Sequence, residues 1–219
     1  MIGLRPGGVE RIVAVGAHCD DIAIGAGGSL YAVCRANPGV RVDAMVLTGG
    51  GTDRETEERA ALAALCPSAD LALTVLKLPD GRIPAHWDEA KSAVHELRQR
   101  VGTEQDADVV FAPHPGDAHQ DHRMLAELVP QEFRDHLVLG YEIVKSDGDL
   151  CRPTVYQPLA DDVVRHKVDV LHEHYPSQRH RPWFDAEAFR GLARIRGVEG
   201  RTRYAEAFHV TTMTLDLER

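Results

Sequence analysis

Short apolar runs alternate with longer amphipathic segments along the 219 residues of this chain. The apolar runs predict strands over residues 11–15, 41–48, 70–78, 107–112, 137–144 and 204–213. The amphipathic segments predict helices over residues 25–36, 53–66, 88–101, 161–174 and 186–195, and a further helix that stops at Pro130. Strands that alternate with helices indicate βαβ crossovers. The pattern therefore predicts an α/β fold: a single Rossmann-like domain over residues 1–219, with a mainly parallel sheet and helices on both faces.

Polar side chains directly follow two of these strands. His18, Asp20 and Asp21 come after the first strand, and the run Pro-His-Pro-Gly-Asp-Ala-His-Gln-Asp-His, residues 113–122, comes after the fourth. In open α/β sheets, ligands bind beyond the carboxyl ends of the strands. We expect the first and fourth strands to end close together, which would bring the two polar clusters to the same edge of the sheet.

The two clusters together contain two imidazoles and a carboxylate, the donors with which a catalytic zinc site keeps one position open for water. A second carboxylate beside them can take the proton that the metal helps to release. Each cluster alone has a simpler interpretation. Asp20 or Asp21 would cap the following helix, and any single histidine of the second cluster would lie in a solvated loop. The coincidence of both clusters favours a metal site.

The charge of the chain excludes several classes of partner. A net charge of −9 and an isoelectric point near 5.7 argue against nonspecific binding to nucleic acid or anionic membranes, because both need a basic face. No segment has the roughly 20 uninterrupted apolar residues of a membrane span, and the first residues lack the apolar core of a signal peptide. Four cysteines without C-x-x-C spacing indicate free thiols. We expect a cytoplasmic protein with a small-molecule partner, and the sequence leaves a homo-oligomer open.

Three other classes of site find no support in the motifs. A dinucleotide-binding turn needs the pattern G-x-G-x-x-G. Gly25, Gly27 and Gly28 do not complete it, because Leu30 stands where the last glycine of the pattern is required. No phosphate loop of the G-x-x-x-x-G-K type and no G-x-S-x-G nucleophile turn occurs. Cys19 lies inside the first polar cluster, and we expect it to pack beside the site rather than to bind metal.

Seven short motifs occur in order along the chain: His18-Cys-Asp-Asp21, Gly25-x-Gly27-Gly28, Arg54-x-x-Glu57, Leu78-Pro-Asp-Gly81, Asp117-x-His119-x-Asp-His122, Ser177-Gln178 and Ala205-Glu-Ala-Phe208. Together they resemble the PIG-L (LmbE-like) deacetylases, metal-dependent enzymes that remove acetyl from N-acetylglucosaminyl and related amino-sugar conjugates. The two motifs rich in histidine and aspartate are the specific part of the resemblance. The chain departs from the family at two positions: Cys19 stands where proline is usual, and Ile22 where an acidic residue is usual.

The resemblance implies the metal ligands. His18, Asp21 and His122 would bind zinc, or another divalent metal, through two imidazoles and one carboxylate. Such a metal lowers the pKa of its bound water to about 7, which makes the water a nucleophile at neutral pH. The ligands come from both polar clusters, so the expected site exists only if the two loops meet.

The resemblance also implies the groups that move protons. Asp20 would be the general base that takes a proton from the attacking water and returns it to the departing amine. A protonated His119 would stabilise the oxyanion that forms during attack. Asp117 or Asp121 would orient His119 and keep it charged, and the sequence does not choose between the two carboxylates.

Arg54 and Asp80 are the candidates for substrate contacts, through sugar hydroxyls or a phosphate. For Arg54, an ion pair with Glu57 or Glu58 on the helix surface is an equal alternative. The expected reaction is the removal of acetyl from an N-acetylglucosaminyl or related amino-sugar conjugate. Two other functions stay open: cleavage of a different amide-linked sugar conjugate, and binding of a sugar by a metal-containing protein without turnover.

Overall fold

The computed structural model describes residues 8–102, 107–145, 150 and 152–214. The strands in these residues are β1 (Arg11–Gly16), β2 (Arg41–Thr48), β3 (Asp70–Leu78), β4 (Val109–Pro113), β5 (Val138–Tyr141), β6 (Val155–Leu159) and β7 (Tyr204–His209). The helices are α1 (Asp21–Ala36), α2 (Asp53–Leu65), α3 (Trp87–Val101), α4 (Gln120–Glu132), α5 (Asp161–His174) and α6 (Ala186–Glu199). Two short 3-10 turns, Ile83–His86 and Pro176–Gln178, precede α3 and follow α5.

The strands form one sheet in the order β3-β2-β1-β4-β5-β7-β6. All pairs from β3 to β5 are parallel, and β7 runs antiparallel to both β5 and β6. The predicted fold is confirmed: a Rossmann-like α/β domain with a mainly parallel sheet. β1 has β2 on one side and β4 on the other, so the winding direction of the chain reverses there. Such a reversal opens a crevice at the carboxyl ends of the two central strands, β1 and β4.

The side chains of β1 are buried on both faces of the sheet. Ile12 and Ala14 belong to a core with apolar side chains of α1 and α5, whereas Val13 and Val15 belong to a second core with α3 and α4. Successive strand residues point to opposite faces, so a strand that is covered on both sides is apolar throughout. This explains the uninterrupted apolar run of β1 and confirms that helices cover both faces.

Two glycines let α1 lie close to the strands beneath it. A Cβ atom on Gly25 would overlap the ring of Tyr141, and one on Gly28 would lie 2.7 Å from Leu159 and 2.9 Å from Glu206. Glycine in a helix interior costs about 1 kcal/mol relative to alanine, so its presence here reflects this close approach. The glycines of the second motif therefore serve helix packing.

Polar side chains at the helix ends satisfy backbone groups that the helices leave unpaired. The hydroxyl of Thr52 accepts from the N–H of Arg54 at the start of α2. Asp185 accepts from the N–H groups of Glu187 and Ala188 at the start of α6.

Several predicted boundaries were wrong. β7 ends at His209 rather than at residue 213, β4 spans Val109–Pro113 rather than residues 107–112, and α6 continues to Glu199 rather than ending at residue 195. α4 continues through Pro130 to Glu132, because a proline in the last turn of a helix removes a single hydrogen bond. α1 begins at Asp21 rather than at Gly25, and β5 ends at Tyr141 rather than at residue 144. The edge strand β6 was not predicted, since Pro158 reads as a strand breaker and is tolerated on an edge strand. The loop expected at residues 146–149 lies outside the described residues.

Among the described residues, no helix has both the length and the apolar character that crossing a membrane requires.

Candidate metal centre

The two polar clusters meet where β1 and β4 lie side by side. The register pairs Ile12 with Val109 and Ala14 with Phe111, so both strands point their carboxyl ends at the same edge. The loop after β1 carries His18, and the loop after β4 leads into α4, whose first turn carries His122. The expected adjacency of the first and fourth strands is confirmed.

Three buried ligand atoms form a small triangle at this edge. Nδ1 of His18 lies 3.1 Å from Nε2 of His122 and 3.3 Å from Oδ2 of Asp21. The third side, from Nε2 of His122 to Oδ2 of Asp21, measures 3.1 Å. A tetrahedral zinc ion with ligands at about 2.0–2.1 Å separates its ligand atoms by about 3.3 Å. The donor set and its spacing therefore fit a zinc-sized cation.

The nitrogen on the far side of each imidazole faces a carboxylate. Nε2 of His18 lies 3.1 Å from Oδ2 of Asp121 and 3.0 Å from Oδ1 of Asp80. Nδ1 of His122 lies 2.8 Å from Oδ2 of Asp117. Histidines that bind metals commonly donate their other N–H to a carboxylate, which fixes the ring and leaves a lone pair directed at the metal. Both imidazoles have this arrangement.

The carboxylates give the triangle a strong preference for positive charge. Burial lowers the pKa of His18, but Asp21 and Asp121 outweigh burial and raise that pKa to about 11. Burial likewise opposes protonation of His122, yet Asp21 and Asp117 raise its pKa to about 9. The pKa of Asp21 lies well below its ordinary value, because the two imidazoles outweigh its burial. Its buried Oδ1 has no hydrogen-bond partner in the described structure.

His119 lies at the edge of this triangle. Its ring stands edge-on to that of His18, with 4.7 Å between centroids, and its Nδ1 accepts the N–H of Asp121. Burial and the neighbouring His18 and His122 lower its pKa. Asp117 accepts the backbone N–H of His119 and not a ring nitrogen. Neither predicted carboxylate thus orients the His119 ring, because each orients a different imidazole.

Two other groupings of donors lie near the triangle. Ligand atoms of His18, His119 and His122 fall within 4.8 Å of one another, as do those of His18, Asp80, His119 and Asp121. In the triangle, His18 and His122 each use the ring nitrogen that does not face a partner carboxylate. Oδ2 of Asp21 lies within 3.3 Å of both nitrogens.

Asp20 is completely buried beside the triangle. It occupies the N-cap position of α1 with φ 111° and ψ −24°, but its side chain makes no capping hydrogen bond. Its Oδ2 accepts from Nη2 of Arg54 at 2.8 Å, and its Oδ1 lies 3.8 Å from Nζ of Lys145 with no hydrogen bond. Burial raises the pKa of Asp20, and the two cations oppose that shift. One oxygen of Asp20, Oδ1, is therefore buried without a hydrogen-bond partner among the described residues.

A family model described as PIG-L, GlcNAc-PI de-N-acetylase, matches residues 13–133, a stretch that includes both polar clusters and more than half of the chain. The chain belongs to the PIG-L family. A relative from Escherichia coli K12, the uncharacterized deacetylase YaiS, is 28% identical over 179 residues, which cover 75% of this chain and 90% of that protein. PIG-L family deacetylases are metal-dependent enzymes that hydrolyse amide bonds, and this chain is such an enzyme.

Solved structures share the fold. The N,N′-diacetylchitobiose deacetylase of Pyrococcus horikoshii has a TM-score of 0.69 at 18% identity, over 93% of this chain and 84% of that chain. GalB, the 4-carboxy-2-hydroxymuconate hydratase of Pseudomonas putida KT2440, has a TM-score of 0.70 at 14% identity, over 96% of this chain and 99% of that chain. At these identities the likeness concerns the fold alone, since one fold hosts more than one chemistry.

The chain's two departures from the PIG-L pattern both lie on buried side chains. The thiol of Cys19 donates to the carbonyl of Thr48 at 3.5 Å and packs against Gly49, and burial raises its pKa. The thiol is directed at the carbonyl of Thr48, and neither grouping of possible metal donors among the described residues includes it, so Cys19 packs beside the site as expected. Ile22 is fully buried in the core with α1, where an acidic side chain would be costly.

The guanidinium group of Arg54 donates its hydrogen bonds to other groups of the protein. It donates to Asp20 and to the carbonyl of Cys19 through Nη2, and to Glu57 at 2.7 Å and Ser177 at 2.9 Å through Nη1. The ion pair with Glu57 that was the alternative to substrate binding is therefore present. Arg54 also fixes Asp20, a contact that the sequence did not suggest.

A cleft of about 470 Å³ opens above the triangle. Its lining includes His18, His119, Arg54 and Asp80, together with Gln178 of the Ser177-Gln178 motif. It also includes three residues that the sequence reasoning missed: Lys145, Arg181 and Trp183. Asp80 lies at the mouth, with 77% of its side chain exposed. Lys145 follows β5 at the same edge of the sheet. Ligands bind beyond the carboxyl ends of the strands, and this rule, which pointed to the first two clusters, also points to Lys145.

Proposed function

We propose that this protein is a zinc-dependent hydrolase that removes acetyl from an N-acetylglucosaminyl or related amino-sugar conjugate. The observation that carries the proposal is the triangle of His18, Asp21 and His122, with sides of 3.1–3.3 Å, beside the buried carboxylate of Asp20. Membership of the PIG-L family supports the same reaction.

His18, Asp21 and His122 would hold the metal. A neutral imidazole pair with one carboxylate is a zinc donor set, and the carboxylates behind both imidazoles favour zinc over ions that prefer oxygen ligands alone. The bound ion supplies Lewis acidity, which activates water and polarises the amide carbonyl.

Asp20 is proposed as the general base. Arg54 occupies its Oδ2, so Oδ1 is the oxygen that takes the proton of the attacking water. A carboxyl group whose pKa is raised by burial then gives the proton to the amine nitrogen as the C–N bond breaks. Lys145 near Oδ1 and Arg54 at Oδ2 oppose the rise in pKa that burial causes, and so favour the ionised form that a base needs.

His119 is proposed to stabilise the developing oxyanion in its neutral form. Its Nδ1 accepts the N–H of Asp121, so the single proton of the neutral ring lies on Nε2 and can be donated. The lowered pKa of His119 supports a neutral ring at pH 7, in place of the protonated ring expected from the sequence. One such donor typically lowers the activation barrier by about 3 kcal/mol.

The walls of the cleft suit a carbohydrate. Trp183 offers an aromatic surface, Gln178 an amide and Asp80 an exposed carboxylate for sugar hydroxyls. Arg181 adds a cation at the rim, and Arg54 is better placed to hold Asp20 than to contact the sugar.

Three broader expectations stay part of the proposal. Residues 1–219 would act as one domain, which the single sheet supports. The partner would be a small molecule rather than nucleic acid, in keeping with the net charge of −9. The protein would work in the cytoplasm, in keeping with the free thiols of Cys19, Cys34 and Cys66.

The test is an amine-release assay on zinc-loaded protein with N-acetylglucosamine and N,N′-diacetylchitobiose. We expect amine release that Asp20→Ala abolishes without loss of bound zinc, whereas Asp135→Ala, a change of an exposed aspartate, leaves the rate unchanged. Sugar binding without amine release would favour the non-catalytic alternative. Release only from substrates with another acyl group would favour the alternative amidase, and unchanged hydrolysis by Asp20→Ala would overturn the role of the base.

A further inference from the structure

The backbone conformation of Asp20 has to be stabilised by neighbouring groups. Its φ of 111° is positive, a region that residues other than glycine rarely adopt. Two further non-glycine residues with positive φ, Ser68 and Arg201, lie away from the site in the part of the chain that the structure describes. A backbone of this kind persists only where surrounding groups fix it.

Glu58 makes that contact. The N–H of Asp20 donates to Oε2 of Glu58 at 2.8 Å, and Glu58 is fully buried in α2. The hydroxyl of Tyr175 donates to the same oxygen at 2.7 Å. The second oxygen, Oε1, is buried without a hydrogen-bond partner in the described residues. A buried carboxyl group with one unsatisfied oxygen is costly, so its retention calls for a reason beyond packing.

The contacts form a closed ring around Asp20. Glu58 holds its backbone N–H, and Arg54 holds its side-chain Oδ2 at 2.8 Å. Tyr175 joins the two holders, because its hydroxyl donates to Glu58 and its ring lies 5.5 Å from the Arg54 guanidinium carbon. With both ends of Asp20 fixed, its free Oδ1 points in one direction.

We propose that Glu58 is a positioning residue for the general base: by accepting the N–H of Asp20 it holds the left-handed backbone that directs Oδ1 toward the reacting water. This inference rests on the proposed role of Asp20 as the base. In the described part of the chain, Glu58 accepts hydrogen bonds from Asp20 and Tyr175, and neither of these is one of the proposed metal ligands.

A second buried carboxylate, Glu206 of β7, accepts backbone N–H groups of α1 and provides a matched control. Glu206 accepts the N–H groups of Gly28 and Ser29 at 2.8 and 2.7 Å, and it pairs with Lys167. It therefore holds the backbone of α1 as Glu58 does, but away from the base. Changing Glu206 reports the cost of losing such a carboxylate for stability alone.

The experiment compares Glu58→Leu, Glu58→Gln and Glu206→Gln, with amine release from N-acetylglucosamine, zinc stoichiometry and melting temperature measured for each. We expect Glu58→Leu to lower kcat about 100-fold with KM and zinc content unchanged, since a small misplacement of a reacting group has such an effect. Glu58→Gln keeps an acceptor oxygen for both donors and should restore most of kcat. Glu206→Gln should lower the melting temperature and leave kcat unchanged.

Tyr175→Phe and a crystal structure complete the test. Removing one hydroxyl keeps the ring under Arg54 and should lower kcat by less than Glu58→Leu does, which tests the proposal even if the leucine variant does not fold. In the crystal structure of a Glu58 variant without its acceptor oxygen, we expect Asp20 to leave the positive-φ region.

Wild-type kcat in both Glu58→Leu and Tyr175→Phe, or an unmoved Asp20 in the crystal structure, would overturn the proposal. Failure of the proposed function looks different: Asp20→Ala would then retain the wild-type rate, or the wild-type protein would release no amine. The conformation of Asp20 in the variant crystal still decides the positioning role in that case.

Discussion

Nδ1 of His18 and Nε2 of His122 lie 3.1 Å apart, although 104 residues separate them in the sequence. Both nitrogens carry lone pairs in the neutral rings, and the far side of each ring is already committed to a carboxylate. Two facing lone pairs repel unless a proton or a cation lies between them. The arrangement therefore suits a shared proton or a bound cation at this point, which Asp21 also faces.

Asp117 should tune the metal affinity through His122. Asp117→Asn replaces the carboxylate that lies 2.8 Å from Nδ1 of His122, which makes the imidazole a weaker donor and frees its ring. We expect a loss of affinity of about 10–100-fold, measured by competition with a chromophoric zinc chelator. Asp70→Asn, which removes a carboxylate paired with Arg41 at the surface, is the control. Equal affinities for both variants would contradict the role of Asp117.

Zinc binding should release protons at neutral pH. In the metal-free protein, against the effect of burial, Asp21 and the carboxylates behind the two rings raise the pKa of His18 to about 11 and that of His122 to about 9. Nδ1 of His18 and Nε2 of His122 lie 3.1 Å apart and can share one proton, so the pair carries at least one proton more than two neutral rings at pH 7. Zinc needs both rings neutral, so at least one proton should leave per ion, and the affinity should rise with pH. Calorimetry in two buffers of different ionisation enthalpy gives the number, and zero released protons would refute this charge state.

The same pKa shifts fix the sign of a stability change in the metal-free protein. A histidine whose pKa is raised by folding stabilises the protein below its unfolded pKa of about 6.5, and this contribution is lost as pH rises through the folded pKa. The free energy of unfolding of the metal-free protein should therefore fall between pH 7 and pH 11. Urea titrations across this range check it, and a rise would contradict the assignment.

His119→Ala separates an oxyanion donor from a metal ligand. If His119 donates through Nε2, the variant should lose about 100- to 1,000-fold in kcat while zinc content and zinc affinity stay unchanged. Zinc content is measured by atomic emission and kcat by amine release. A parallel loss of zinc would instead place His119 in the ligand set with His18 and His122, whose donor atoms lie within 4.8 Å of it.

Gly25→Ala tests the close packing of α1. The added methyl group would overlap the Tyr141 ring, and we expect a destabilisation of about 1–3 kcal/mol from the forced movement. Gly191→Ala in α6 is the control, because a Cβ atom there meets nothing within 4 Å. This second variant should be stabilised by about 0.5–1 kcal/mol, and urea denaturation measures both. Equal effects at the two positions would contradict the packing role of Gly25.

The backbone of the site could be predicted from sequence because it depends on local signals. The apolar runs of β1 and β4 gave the strands, and the crossover rule put their ends together. The partner of each carboxylate could not be predicted in this way. Asp117 and Asp121 lie four residues apart, and only the turn between them decides that one reaches His122 and the other His18.

Other residues were missed for different physical reasons. Glu58 sits in a helix turn rich in charge, a pattern typical of a solvated surface, yet its neighbours bury it completely. Trp183 and Arg181 lie on a loop that reaches the cleft from a distant part of the chain, where periodicity carries no information. The pairing of Arg54 with Asp20 likewise depends on how α2 leans against the start of α1.

The central pairing of β1 with β4 means that a bound ion would act as a clasp between the early and late parts of the chain. Asp21 and His18 lie before that join and His122 after it, so no fragment ending before residue 122 carries the full ligand set. An ion that binds only the folded chain stabilises it in proportion to the logarithm of its concentration. Removal of the ion by a chelator would then lower the folding stability of the whole chain as well as abolish its activity.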